Sequence, residues 1–176
     1  MAVINVLPKQ VAELIAAGEV VERPSSVIKE LVENSIDAGA KHITVEIKNG
    51  GTVFMRITDD GCGIAAEDVA TAFLRHATSK INEKDDLDNI CTLGFRGEAL
   101  ASVAAVAKVE LMTKRKSDEY GTCYCIEGSI EKSCEPSGCP DGTTIIIRDL
   151  FYNVPVRRKF MKKDVISRIE NEIYRI

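Results

Sequence analysis

Five short stretches of the 176-residue chain combine residue types that can hold a ligand. In KELVENSIDAG, residues 29–39, Glu30 and Asn34 stand one helical turn apart. They border an apolar arc formed by Val27, Ile28, Leu31, Val32, Ser35 and Ile36, so both point along the seam between core and surface. Glu33 and Asp37 lie further toward solvent. In DDGCG, residues 59–63, Asp59 ends an apolar strand, and Gly61 and Gly63 permit close backbone approach to a ligand. In GFRGEAL, residues 94–100, a glycine-bounded loop feeds a helix start, where backbone N–H groups and the dipole attract anions; Arg96 adds charge. Thr78, Ser79 and Lys80 of RHATSKI offer two hydroxyls and an ammonium suited to phosphate oxygens. Gly142, Thr143 and Thr144 enter an apolar strand, where a threonine hydroxyl can bond a base. Each stretch also has a plainer reading: a solvated helix edge, a tight turn, a capped helix start, a polar helix end, a strand entrance. No Walker A loop occurs anywhere in the chain.

The elements that must position these residues follow from periodicity. Pro8 and the stripe Val11, Leu14, Ile15 predict a helix over 8–17. Pro24 opens a second helix that ends near Gly39. Ile43, Val45 and Ile47 alternate with polar residues, and Asn49-Gly50-Gly51 signals a hairpin. The return strand places Val53, Met55 and Ile57 on one face. A helix is expected over 66–75, with Glu67 and Asp68 in its first turn. Residues 77–97 lack periodicity, and a connection of that length is often a functional lid. An alanine-rich helix over 98–107 precedes strands near 108–114, 120–127, 129–134 and 142–148. PVRRKFMKK and DVISRIENEIYRI read as helical, the latter with Val165, Ile166, Ile169 and Ile173 on one stripe. It stops at Ile176 without a cap, which suggests a chain cut within a longer protein. This order predicts an α+β two-layer sandwich, with helices on one face of a mainly antiparallel mixed sheet.

A net charge of −4 argues against coating nucleic acid by bulk charge. Only Arg157, Arg158, Lys159, Lys162 and Lys163 form a basic cluster, readable as a DNA-phosphate contact or as a solvated helix face. The N-terminus lacks a signal-peptide layout, and no apolar run approaches the ~20 residues of a membrane span. The six cysteines therefore read as reduced thiols. Cys123, Cys125, Cys134 and Cys139 lack the paired spacing of a zinc knuckle, and Cys123 and Cys125 fit strand packing better.

In this order, E-x-x-x-N, D-x-G-x-G, a lid, G-F-R-G-E-A-L and G-T-T resemble the ATP-binding fold shared by DNA gyrase, the Hsp90 chaperones, histidine kinases and MutL. The longer stretches IAAGEVVERPSSVIKELVENSIDAGA, DDGCGI, RHATSKI, LGFRGEALASV and DLFYNVPVRRKF closely resemble the bacterial MutL family of DNA mismatch repair proteins, from about residue 3 to about residue 165.

That resemblance implies a Bergerat-type ATP-binding domain over 1–176, with lid and phosphate loop at 77–97 and a following, lysine-supplying domain absent. It makes Glu30 the general base that activates water, and Asn34 the ligand of Mg2+. Asp59 would accept from the adenine amine, with Gly61 and Gly63 beside the base and Thr143 as second adenine contact. Gly94, Phe95, Arg96, Gly97 and Glu98 would hold phosphates, and Thr78, Ser79 and Lys80 the lid entrance. The implied activity is a slow, Mg-dependent ATPase switch, weak in this chain alone, coupling mismatch recognition to strand processing. ATP would close the lid and drive homodimerisation. Implied partners are the mismatch-recognition protein MutS and DNA, bound non-specifically and mostly elsewhere, with no membrane. The implied location is cytoplasmic and nucleoid-associated. An alternative of the same fold is a nucleotide-binding interaction module that signals by conformation with little hydrolysis. Two departures stand out. Asp60 replaces the usual Asn, near the base or facing solvent, and Val156 replaces the usual Ala, a difference expected to be one of packing.

Overall fold

The computed structural model describes residues 21–75, 77, 98–165 and 171–175, together with 5, 8, 15 and 17, with the backbone alone at 162–165 and 171–175. The helix expected over 8–17 therefore falls within the description only at single positions: Ile15 and Ala17 are helical, and Ala17 is buried. Nearly all of the expected lid and phosphate loop lies outside the described residues.

Helix α1 spans Pro24–Asp37, with Pro24 in its first turn after an extended Arg23. Val27, Leu31 and Ser35 are its buried face, and Ile28 and Val32 pack beside it. Ile36, expected on the same arc, is exposed. The helix closes on left-handed Gly39, with Gly39 N–H donating to the Ile36 carbonyl and Ala40 N–H to that of Ser35. Those two bonds satisfy carbonyls of the last turn in a Schellman arrangement.

Strands β1 (Ile43–Lys48) and β2 (Phe54–Asp59) form the hairpin around Asn49–Gly51. Helix α2 (Ala99–Val106) leads into β3 (Lys108–Lys114), β4 (Gly121–Glu127), β5 (Ile130–Ser137) and β6 (Gly142–Arg148). Helix α3 (Pro155–Val165) and strand β7 (Asn171–Arg175) follow. The sheet order is β5-β4-β3-β6-β2-β1-β7, and every pairing is antiparallel. Edge strand β5 runs three residues beyond the expected 134 and carries Pro136, which an edge position tolerates.

Both helices α1 and α2 lie on one face of the sheet, as the pattern predicts. The register explains the core. Val45, Ile57, Ile145, Leu111 and Tyr124 face one another across five strands, and all are buried. Helix α2 is buried along most of its length, because Ala and Val side chains let it sit close to the sheet. Phe73 stacks on Tyr124 with ring centroids 5.0 Å apart.

Two expected elements differ. Residues 66–75 form two short 3-10 turns, Ala66–Asp68 and Thr71–Phe73, instead of one helix. Their N-cap positions make no side-chain hydrogen bond, and only Val69 and Phe73 are buried to anchor them. So short a segment does not repay helix nucleation. The expected C-terminal helix gives way to β7 at Asn171–Arg175, which pairs with β1. The open edge of β1 offers backbone partners, and Ile173 and Tyr174 suit a strand.

Candidate functional site

One row beyond the apolar ladder, the same sheet face turns polar. Asp59, Thr143, Thr113 and Thr122 stand opposite one another across β2, β6, β3 and β4. The C-terminal half of α1 lies against this row. Ser35 Oγ is 2.8 Å from Asp59 Oδ2 and 3.1 Å from the Leu31 carbonyl. Gly61 N–H donates to Asp59 Oδ1 at 3.0 Å. Asp59 is thus held on both oxygens, one by a helix and one by its own turn.

The turn after β2 is fixed by close packing. A Cβ on Gly61 would stand 2.9 Å from Ala38 Cβ and 3.0 Å from Asp59 Oδ1. A Cβ on Gly63, whose φ is +70°, would overlap the Lys114 carbonyl. The space both glycines leave is filled by the protein itself, so they bring the turn onto α1 and β3. Cys62 N–H donates to the Ala38 carbonyl at 3.0 Å, and Ile64 N–H to Thr113 Oγ1 at 2.9 Å. Thr113 Oγ1 also lies 3.0 Å from Thr143 Oγ1 and 3.1 Å from the Gly142 carbonyl.

Asp60 turns away from this row. Its Oδ1 accepts from Lys41 N–H at 2.7 Å and His42 N–H at 2.8 Å, and its Oδ2 lies 2.7 Å from His42 Nδ1. The His42 side chain, then the two backbone donors, hold its carboxyl well below the usual carboxylate range. The Asp60 carboxylate is therefore occupied by the loop before β1.

Glu30 is half-buried in a cleft between α1 and α2, lined by Val21, Ser26, Val27, Leu31, Ala99 and Val103. Asn34 is half-buried one turn further along α1. Glu98 is the N-cap of α2, and its side chain makes no capping bond to that helix. Helix α1 therefore carries Glu30 toward the start of α2, while Ser35, about 7.5 Å further along the axis, reaches Asp59. The structure brings together Asp59, Gly61, Gly63 and Thr143 at one end and Glu30 with the α2 start at the other. Thr78, Ser79, Lys80, Gly94, Phe95, Arg96 and Gly97 lie outside the described residues.

Two residues were not singled out for this site: Ser35 and Thr113. Both left a signal. Each is a hydroxyl at a position whose period is buried, and a buried hydroxyl needs a partner.

The other flagged groups sit apart. Arg157 Nη1 donates to the Val21 carbonyl at 3.3 Å, with its guanidinium over the Phe151 ring. Arg158 lies 3.7 Å from Asp149. Val156, expected to pack, is 68% exposed, because α3 turns Arg157 and Met161 inward instead. Burial pushes the Cys123 thiol up to about 11, as befits a packed residue.

Residues 22–135 match the family described as histidine kinase-, DNA gyrase B-, and HSP90-like ATPase. The chain belongs to this ATPase family. Within it, the chain is similar to MutL proteins. It is 62% identical to the DNA mismatch repair protein MutL of Agathobacter rectalis over 90% of its own length and 24% of that protein's. Against MutL of Parabacteroides distasonis the identity is 51%, over 99% of this chain and 29% of the other. The chain thus spans about a quarter of the length of these relatives. Among solved structures, the N-terminal domain of a DNA repair protein superposes with a TM-score of 0.71 at 32% identity, covering 86% of this chain and 43% of that one. The Aquifex aeolicus MutL ATPase domain complexed with ADP gives 0.62 at 34% identity, covering 80% and 48%. No helix among the described residues is long and apolar enough to cross a membrane.

Proposed function

We propose that this chain is an ATP-binding and slowly hydrolysing module of a mismatch repair switch. The observation that carries the reading is the layout of α1, which turns Ser35 to a doubly held Asp59 and Glu30 to the start of α2. Asp59 receives the adenine amine, and Thr143, its register partner on β6, meets the neighbouring ring atom. The triphosphate then extends along α1 toward the start of α2, where Gly94, Phe95, Arg96, Gly97 and Glu98 would receive it. Glu30 orients a water and takes its proton as the oxygen attacks the γ-phosphorus. The bond to ADP breaks, and ADP and phosphate leave. The carboxamide of Asn34, one turn from Glu30, is a hard oxygen donor that fits Mg2+. Mg2+ supplies charge neutralisation of the phosphates when bound.

Thr78, Ser79 and Lys80 would close over the nucleotide, with residues 77–97 as lid. Homodimerisation on ATP binding, and engagement of MutS and of DNA, belong to the same proposal. So does a place within a longer protein whose further parts complete the catalytic set. The observed bonds of Arg157 and Arg158 favour a structural role over DNA contact for those two residues.

Calorimetric titration with a non-hydrolysable ATP analogue and Mg2+ tests the core of this reading. Saturable binding at a stoichiometry of one is the expected result. Absence of binding at millimolar nucleotide refutes it.

A further inference from the structure

We infer that Cys123, Cys125 and Met112 form a three-sulfur site for a soft monovalent cation, Cu(I), on the face of the sheet turned away from α1 and α2. The site is separate from the polar row of Asp59 and Thr143 and does not depend on the reading of that row.

Strand alternation places the three side chains together. Leu111, Thr113, Tyr124 and Ile126 are buried on the inner face, so Met112, Cys123 and Cys125 point outward, and all three are half-buried. Cys123 and Cys125 are two residues apart on β4, about 6.7 Å along the strand. Met112 is the register partner of Cys123 on β3, where Cβ atoms stand about 4.5–5.5 Å apart. Its thioether, on three rotatable bonds, can swing toward the pair.

The spacing argues for an ion rather than a disulfide. A disulfide needs Cβ atoms about 3.5–4.5 Å apart, closer than two positions of one strand allow. One ion between two thiolates, with metal–sulfur bonds of about 2.3 Å, holds the sulfurs about 4.6 Å apart and bridges the gap without moving the backbone.

The surrounding charge suits a cation. Burial, then the Cys125 thiol and the carboxylates of Glu110 and Glu135, act against a bare thiolate at Cys123. A bound cation relieves that repulsion. Among the described residues no three His, Cys, Asp or Glu side chains are placed to hold a metal, so Zn2+ and harder ions find no ligand set here. Thiolate and thioether donors select Cu(I). On binding, the two S–H bonds break and their protons pass to water. The two thiolates and the thioether each donate a lone pair to the ion, whose oxidation state does not change.

The test titrates the reduced chain anaerobically with Cu(I) against bathocuproine disulfonate, a chelator whose Cu(I) complex is coloured. Wild type should withhold one equivalent of Cu(I) from the chelator. A combined variant, Cys62→Ser with Cys91→Ser, Cys134→Ser and Cys139→Ser, should do the same. Cys123→Ser and Cys125→Ser should each lose that equivalent, and Met112→Leu should keep it with lower affinity. Cu(I) should also raise the melting temperature of wild type and leave that of Cys123→Ser unchanged, because the folded strand is what holds both thiolates on one face. A Cys123→Ser chain that withholds copper as wild type does overturns the inference. So does a wild-type chain that yields all its copper to the chelator. Unchanged affinity in Met112→Leu overturns the three-sulfur assignment. If the combined variant does not fold, Cys134→Ser and Cys139→Ser are tested singly, and loss of the equivalent from either overturns the placement of the site.

Discussion

Ser35→Ala is the sharpest test of how the base end of the site is built. Ser35 is buried on α1, 4% exposed, and its hydroxyl lies 2.8 Å from Asp59 Oδ2. A hydrogen bond to a charged group contributes about 1.5–3 kcal/mol. Asp59 is only half-buried, so the lower end, about 1.5 kcal/mol, is the appropriate figure. Part of this returns in the free protein, because Ala suits a helix interior better than Ser by roughly 0.5 kcal/mol. The carboxylate stays bonded to Gly61 N–H but is free to swing about it. A loss of about 1.4 kcal/mol in binding is tenfold in affinity. The expected result is ATP binding weakened roughly five- to tenfold, with a small change in melting temperature. Inorganic tripolyphosphate separates the two ends of the ligand, since it has no base for Asp59 to meet. Its affinity should be the same for Ser35→Ala and wild type. If Ser35→Ala weakens tripolyphosphate as much as ATP, or weakens neither, the positioning role assigned to Ser35 is wrong.

Three further outcomes follow from the geometry. Glu30→Ala should retain nucleotide binding and lower turnover by about 10²–10⁴, read as phosphate release; unchanged turnover removes Glu30 from the chemistry. Gly63→Ala places a Cβ on the Lys114 carbonyl at a φ of +70°, so thermal unfolding should show a loss of about 1–3 kcal/mol, and an unshifted melting curve contradicts the close packing of that turn. The depressed carboxyl of Asp60 adds stability that is fully present above its ordinary value of 3.8 and is lost as pH falls toward its folded-state value. Asp60→Asn should therefore be less stable than wild type at pH 6 in denaturant titrations, with the gap narrowing below pH 4; a gap that widens with acid reverses the sign.

The parts of the fold that the sequence made legible are those where period and punctuation agree. Pro24, the apolar arc of α1 and Gly39 bound one helix, and the alternation around Asn49-Gly50-Gly51 bounds one hairpin. Where the two signals part, the tertiary setting decides. The stripe of Val165, Ile166, Ile169 and Ile173 has helical spacing, yet the free edge of β1 captures Asn171–Arg175 as a strand. Residues 66–75 have helical composition but too little buried surface to hold a helix. The candidate site divides the same way. Glu30, Asn34, Asp59 and Thr143 stand out because their neighbours in sequence carry the pattern. Ser35 acts through the packing of α1 on the sheet and Thr113 through strand register, and both join residues that are distant along the chain. The turn glycines are expected to permit close backbone approach to a ligand, and a side chain at either would also meet Ala38 or Lys114. That second constraint lies in what faces them in the fold, and local sequence does not record it.

The place of β6 in the sheet has a consequence for biosynthesis. It lies between β2 and β3, both of which leave the ribosome before it. The hydroxyls of Thr58 and Thr144, bonded across that junction, are 86 positions apart. The β1–β2 hairpin and the β3–β4–β5 meander can each form as they emerge, but they have no shared hydrogen bonds until β6 arrives to join them. Asp59 therefore waits, without Thr143, until β6 has been synthesised. A nascent chain halted before residue 142 lacks Thr143 from the polar floor, and a stalled or clipped intermediate exposes the edges of β2 and β3 that β6 covers in the finished sheet. The seam that gives the site its two-sided grip is also the last internal gap to close, and the window in which the young chain is open to wrong pairing ends there.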